Sequence, residues 1–75
     1  MVGRILEVQA EGRCTRLVVT LDDGGLWSHR CARWAVELVR RTLGGQPLEG
    51  ARVSVKDDCI VFAGTYVFPL EWMTD

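Results

Sequence analysis

Histidine, lysine, proline and paired cysteines are all scarce in this chain, and each shortage closes a class of function. His29 is the one histidine, and Cys14, Cys31 and Cys59 are widely spaced, with no Cys-x-x-Cys pair. A structural zinc site needs about four closely grouped nitrogen or sulfur ligands, and a disulfide framework needs cysteines in pairs. Neither is expected. The thiols read as small buried side chains in a reducing compartment, and no metal or cofactor is assigned. Pro47 and Pro69 are the only prolines, with no repeat, linker or low-complexity stretch, so residues 1–75 are expected to form one domain. The longest uncharged run, residues 59–70, is 12 residues long, short of the roughly 20 that a membrane-spanning helix needs. No basic region leads into an apolar stretch at the start, so the expected location is cytoplasmic.

Catalytic patterns are missing too. Gly24-Gly25 and Gly44-Gly45 are isolated pairs without the spacing of a phosphate loop. Ser28 and His29 are adjacent, and adjacent side chains do not face each other on a helix, so they make no nucleophile–base pair. No catalytic residue is assigned, and a non-enzymatic role is expected.

What remains is the make-up of a small folded protein. Apolar residues are 48% of the chain, with Trp27, Trp34 and Trp72 among them, enough for a core; charged residues at 25% argue against disorder. The net charge of −1 hides an uneven spread, with seven arginines against five acids in residues 1–41. Lys56 is the only lysine, and a chain that relies on arginine suits bidentate contacts with carboxylate or phosphate.

Alternating apolar residues predict strands at 2–9 and 15–21, joined by a turn at Glu11-Gly12-Arg13. Val2, Leu6 and Val8 share one face of the first, with Ile5 on the other; Leu17, Val19 and Leu21 of the second point inward. Asp22-Asp23-Gly24-Gly25 is a tight turn. Residues 26–29 read either as a short third strand or as the lead-in to a helix. Ser28 is placed as the helix N-cap, with Trp27 packed on Ala32 as a staple. At 100° per residue Arg30, Arg33, Glu37, Arg40 and Arg41 fall in one narrow arc. Cys31, Ala32, Ala35, Val36, Leu38, Val39 and Leu43 cover the opposite side and are expected to face a sheet. Gly44 takes the left-handed C-cap. Ala51, Val53 and Val55 point inward from a fourth strand turned by Asp57-Asp58. The next strand, 59–63, lacks polar alternation, so both its faces are expected to be covered. Gly64 either bulges that strand onward to Phe68 or opens a tight hairpin.

The order strand, strand, short strand, helix, strand, strand resembles the OB fold across residues 3–63. Gly-Arg-Ile-Leu-Glu-Val in the first strand and Leu-Asp-Asp-Gly-Gly before the third resemble single-strand-binding OB domains. Leu-Glu-Gly-Ala-Arg-Val-Ser-Val is similar both to these and to the TOBE modules of oxyanion-handling proteins. The resemblance implies a small β-rich α+β barrel that binds nucleic acid or a small anion. An antiparallel sheet of four or five strands with one helix across a face is the alternative architecture. Aromatics able to stack bases are not evident at outward positions of the second and third strands, which ranks nucleic acid below a protein partner.

Arg30, Arg33, Arg40 and Arg41 against Glu37, with Trp34 at the margin, therefore read as a docking face for a larger protein, extended by Arg13 and Arg16 from the first hairpin. Arg30 is positioned to stack on Trp34, and Glu37 to pair with Arg33 and Arg41. Asp22, Asp23, Asp57 and Asp58 form an acidic patch if both turns lie at one end; Asp is also simply a good turn residue. The uncharged residues 59–68 are either central in the sheet or part of a dimer or partner interface. The function expected is that of an adaptor or inhibitor of a larger assembly, of the kind encoded by phages and mobile elements, anti-CRISPR proteins among them.

Overall fold

A slip in one hairpin sets the inner and outer faces of the whole molecule. The computed structural model describes residues 1–74. In it β1 (Val2–Glu11) pairs antiparallel with β2 (Cys14–Leu21), and the register shifts between Ile5 and Glu7. Leu6 is the extra residue of this bulge. Before it Gly3 and Ile5 lie opposite Leu21 and Val19; after it Val8 lies opposite Leu17. The expected grouping of Val2, Leu6 and Val8 on one face is therefore corrected. Ile5 and Val8 share the core side, while Val2 and Leu6 are exposed, because one inserted residue reverses a period-two pattern.

β3 (Leu26–Ala32) pairs along β2 from Thr20↔Leu26 to Cys14↔Ala32. Trp27, His29 and Cys31 stand opposite Val19, Leu17 and Thr15, on the core side. This overturns the expected helix start. Ser28 lies mid-strand opposite Val18, and Trp27 and Ala32 belong to the same strand, so there is no staple. Seven residues of pairing to an already formed hairpin outweigh one capping hydroxyl, worth about 1 kcal/mol.

The helix α1 (Arg33–Thr42) begins after Ala32, which makes no side-chain cap. It buries Ala35, Val36 and Val39 against β2 and β3. Leu38, expected inside, is exposed: with the helix starting at Arg33, it leans toward the solvent margin. At the C-terminus Gly44 (φ 89°) donates its N–H to the Arg41 carbonyl, and Gly45 donates to that of Arg40. These are the two bonds of a Schellman motif, as expected for glycine there.

β4 (Arg52–Val55) returns beside β1, β5 (Cys59–Phe62) pairs with β4, and β6 (Tyr66–Pro69) with β5. A short α2 (Leu70–Met73) follows. The turn into β6 is tight, with Ala63 (φ 53°) and Gly64 (φ 73°) both left-handed and Thr65 N–H donating to the Phe62 carbonyl at 3.1 Å. Of the two expectations for Gly64, the hairpin is the one formed.

The sheet is thus six-stranded, in the order β3-β2-β1-β4-β5-β6, antiparallel throughout. It is not closed into a barrel: β3 and β6 are its two edges. The alternative architecture, an antiparallel sheet carrying a helix on one face, describes it better than the barrel, with six strands in place of the four or five of that alternative. The core lies between the inner face and the helices, centred on Ile5, Leu17, Val19, Val39, Phe62 and Met73, with Leu48 from the loop after α1. Among the described residues no helix is long and apolar enough to cross a membrane.

Candidate docking surface

The helix phase leaves an apolar stripe on the outside of α1. Trp34 and Leu38, one turn apart, are 53% and 41% exposed, and Arg41 ends the stripe seven residues after Trp34. α2 supplies a second tryptophan. Trp72 is 43% exposed and meets Trp34 edge to face, with ring centroids 4.8 Å apart at 88°. Such a pair contributes about 0.5–1.5 kcal/mol beyond its buried area. Trp72 also stacks on Phe68 at 6.0 Å, and Phe68 reaches Phe62 in the core at 5.7 Å. A row of aromatic rings therefore runs from the core to the surface, ending in two large half-exposed indoles.

Close in sequence to Trp72, Thr74 just beyond α2 makes a single bridge to Cys31 of β3. The Thr74 hydroxyl donates to the Leu70 carbonyl at 2.7 Å and lies 2.9 Å from His29 Nε2. With its one hydrogen committed to Leu70, the hydroxyl accepts from His29, which assigns the proton to Nε2. Trp27 stacks on the imidazole at 5.8 Å and 9°.

The expected arginine face divides. Arg33 donates to the Gly12 carbonyl at 3.0 Å, which brings it to the β1–β2 turn beside Arg13. Arg33, Arg13 and Arg41 are exposed. Glu37 pairs with Arg40 at 3.4 Å rather than with Arg33 or Arg41, and Arg40 is half-buried, with its Nε lacking a hydrogen-bond partner. Arg30 is not on the helix at all. It stands on the outer face of β3, directly opposite Arg16, so it is not placed to stack one turn before Trp34. Arg16 in turn pairs with Glu11 at 3.0 Å and donates to Ser28 Oγ at 3.3 Å. Strand pairing, invisible in a helical projection, moved these two residues to the far side of the sheet.

The acidic turns do share one end, because β2 and β4 both run antiparallel to β1. Their carboxylates do not converge. Asp23 Oδ1 accepts from the Gly25 N–H at 2.8 Å, a turn role, and Asp22 lies 3.6 Å from Arg52. Asp57 lines an open cleft of about 490 Å³ with Met1, Trp27, Val55, Lys56 and Leu70. Among the described residues no group of three His, Cys, Asp or Glu side chains is arranged to hold a metal ion. Ser28 and His29 point to opposite faces of β3.

Trp72 and Leu38 were not among the expected site residues. Pro69 followed by Leu-Glu-Trp-Met, a proline ahead of good helix formers, is the local signal of α2. Nothing local shows that it returns to α1. The sequence matches no family model, and no curated protein or solved structure matches it.

Proposed function

We propose that this chain is a small protein-binding module that docks on a larger protein, as adaptor or inhibitor, through Trp34, Leu38 and Trp72, with Arg33 and Arg41 at the margins. The observation that carries this reading is the Trp34–Trp72 pair at 4.8 Å, both rings half in solvent. Tryptophan and arginine dominate interface energetics when solvent is excluded around them, and the rigid edge-to-face pair has little conformational freedom left to lose on binding. An apolar patch rimmed by exposed guanidinium groups fits an acidic rim around an apolar socket on the partner.

Affinity capture from the source cells with nuclease treatment tests it, comparing the native chain with the Trp34→Ala/Leu38→Ala variant. Both side chains are exposed on α1, so the variant is expected to stay folded. A protein retained after nuclease and lost with the variant supports docking; recovery that the variant leaves unchanged overturns it.

A second reading, a nucleic-acid-binding module of OB type, is favoured by the outer face of the sheet. Arg4 lies directly opposite Arg52, and Arg30 directly opposite Arg16. Like charges opposed across strands cost stability, which a phosphate chain would offset. Asp22 pairs with Arg52 and Glu11 with Arg16, and among the described residues no aromatic platform accompanies these arginines. Binding of single-stranded oligonucleotides with a log–log salt slope of about −2 to −4 supports this reading over the first.

A further inference from the structure

The inner face of the sheet is left open at one end. α1 leaves β3 at Ala32, and Trp27, near the other end of that strand, is only half-buried. Trp27 stands on the core side, opposite Val19, and its indole forms one wall of the open cleft of about 490 Å³. Val55 at the end of β4 and Leu70 at the start of α2 add apolar walls, and the exposed Lys56 and Asp57 complete the lining on one side. Small-ligand sites span roughly 300–1,000 Å³, and this cleft falls within that range.

Fixed contacts hold these walls in place. Trp27 stacks on His29 at 5.8 Å and 9°, and His29 is held in turn by Thr74 at 2.9 Å, which sets the plane of the indole. Lys56 N–H donates to the Cys59 carbonyl at 2.9 Å, closing the β4–β5 turn around Asp57 and Asp58. Leu70 N–H donates to the Asp58 carbonyl, also at 2.9 Å, and so ties α2 to that turn. Preorganisation of this kind lowers the ordering cost of binding. Among the described residues neither the Lys56 ammonium nor the Asp57 carboxylate has an ion-pair or side-chain hydrogen-bond partner. A cation and an anion therefore stand side by side against apolar walls, both available to a ligand.

We propose that this cleft binds a free α-amino acid with an aromatic side chain. A zwitterion carries a carboxylate and an ammonium on the same carbon, the complement of Lys56 beside Asp57. Its carboxylate accepts from the Lys56 ammonium, and its ammonium donates to the Asp57 carboxylate. The ring packs against the Trp27 indole, with Val55 and Leu70 enclosing its other side. A purely anionic ligand would meet Asp57, and a purely cationic one would meet Lys56, so a ligand bearing both charges fits best. The site shares no residue with the Trp34–Leu38–Trp72 surface and does not rest on the docking reading. Both charged side chains are exposed and contribute modestly, so the Kd is on the order of 1 mM.

Chemical-shift titration of the full chain with L-phenylalanine, up to about 20 mM, tests this. The indole N–H of Trp27 and the amides of Lys56 and Asp57 are expected to move together along one saturating curve. Phenylpropanoate lacks the ammonium, phenethylamine the carboxylate and L-alanine the ring; each is expected to bind more weakly by about threefold or more. Lys56→Gln and Asp57→Asn are expected to weaken L-phenylalanine to a similar degree. Both positions are exposed and asparagine is itself a good turn residue, so the variants should keep the native spectrum elsewhere. Several results overturn the proposal: no saturating shift, or shifts centred on Trp34 and Trp72 instead of Trp27. So does phenylpropanoate or phenethylamine binding as tightly as L-phenylalanine, or an affinity that either variant leaves unchanged.

Discussion

His29 Nε2 and Thr74 Oγ1 are 2.9 Å apart although 45 residues separate them, and this contact ties β3 to the end of the described chain. The same hydroxyl caps the last turn by donating to Leu70. β3 is thereby held to the segment that follows α2 by one side-chain pair and one backbone bridge. Thr74→Val keeps the shape and removes the acceptor. It is expected to cost about 0.5–1.5 kcal/mol in urea unfolding and to alter the fluorescence of Trp27, whose ring stacks on His29. Unchanged stability and emission would mean that the contact of β3 with this segment does not depend on this bond.

Trp34 and Trp72 are expected to be energetically coupled. A double-mutant cycle with alanine at each position should give a coupling energy of about 0.5–1.5 kcal/mol, the range of an edge-to-face pair. Trp72→Ala is expected to be the more damaging single change, because Trp72 also packs on Phe68. Additive effects would show the two rings to be independent.

Gly3 packs against the backbone of β2, and a Cβ there would collide with the Thr20 carbonyl. Gly3→Ala is expected to destabilise by about 2 kcal/mol or more, since backbone rather than a flexible side chain must give way. Ala63 presents the opposite case, a non-glycine at φ 53° in the β5–β6 turn. Ala63→Gly should raise stability by about 0.5–1 kcal/mol, the relief of left-handed strain less the added entropy of the unfolded chain. Thermal melts of the two variants check both signs.

Burial pushes the Cys31 thiol from 9.0 up to about 11. The unfolded chain therefore releases this proton first as pH rises. The stability contribution is complete below about pH 9 and is lost between about 9 and 11, with an upper bound of about 2–3 kcal/mol. Denaturation measured against pH should show that decline, and Cys31→Ala should flatten it relative to the native chain. Thiol titration of the folded protein should find Cys59, which is partly exposed, reacting before buried Cys14 and Cys31.

Much of the sheet was legible because its signals are local. Leu17, Val19 and Leu21 alternate cleanly, Asp22-Asp23-Gly24-Gly25 turns the chain, and Gly44 ends the helix, each through neighbours within a few residues. Residues 30–32 mislead a local reading, and 26–29 leave it undecided, for the complementary reason. Ser28 offers a cap and Cys31-Ala32 a plausible first turn, yet the inward edge of β2 was available to pair, and only long-range contact reveals that. The bulge at Leu6 is similar: the apolar pattern around it fits either face until β2 imposes its register.

The arginine face met the same limit. Arg33 and Arg41 remained on the helix surface, whereas Arg30 moved to the sheet with its strand, and Trp72 arrived from the far end of the chain. By itself, the sequence determined that this chain forms one β-rich unit, where most of its turns fall, and that α1 presents arginine and tryptophan to solvent. Local φ preferences and the periodicity of apolar residues decide those matters within a few neighbours. Only the tertiary structure decided that the sheet stays open with β6 as an uncovered edge, that Trp34 meets Trp72, and that Thr74 closes on His29. Those contacts join residues dozens of positions apart, and their energy exists only once the strands between them have chosen a register.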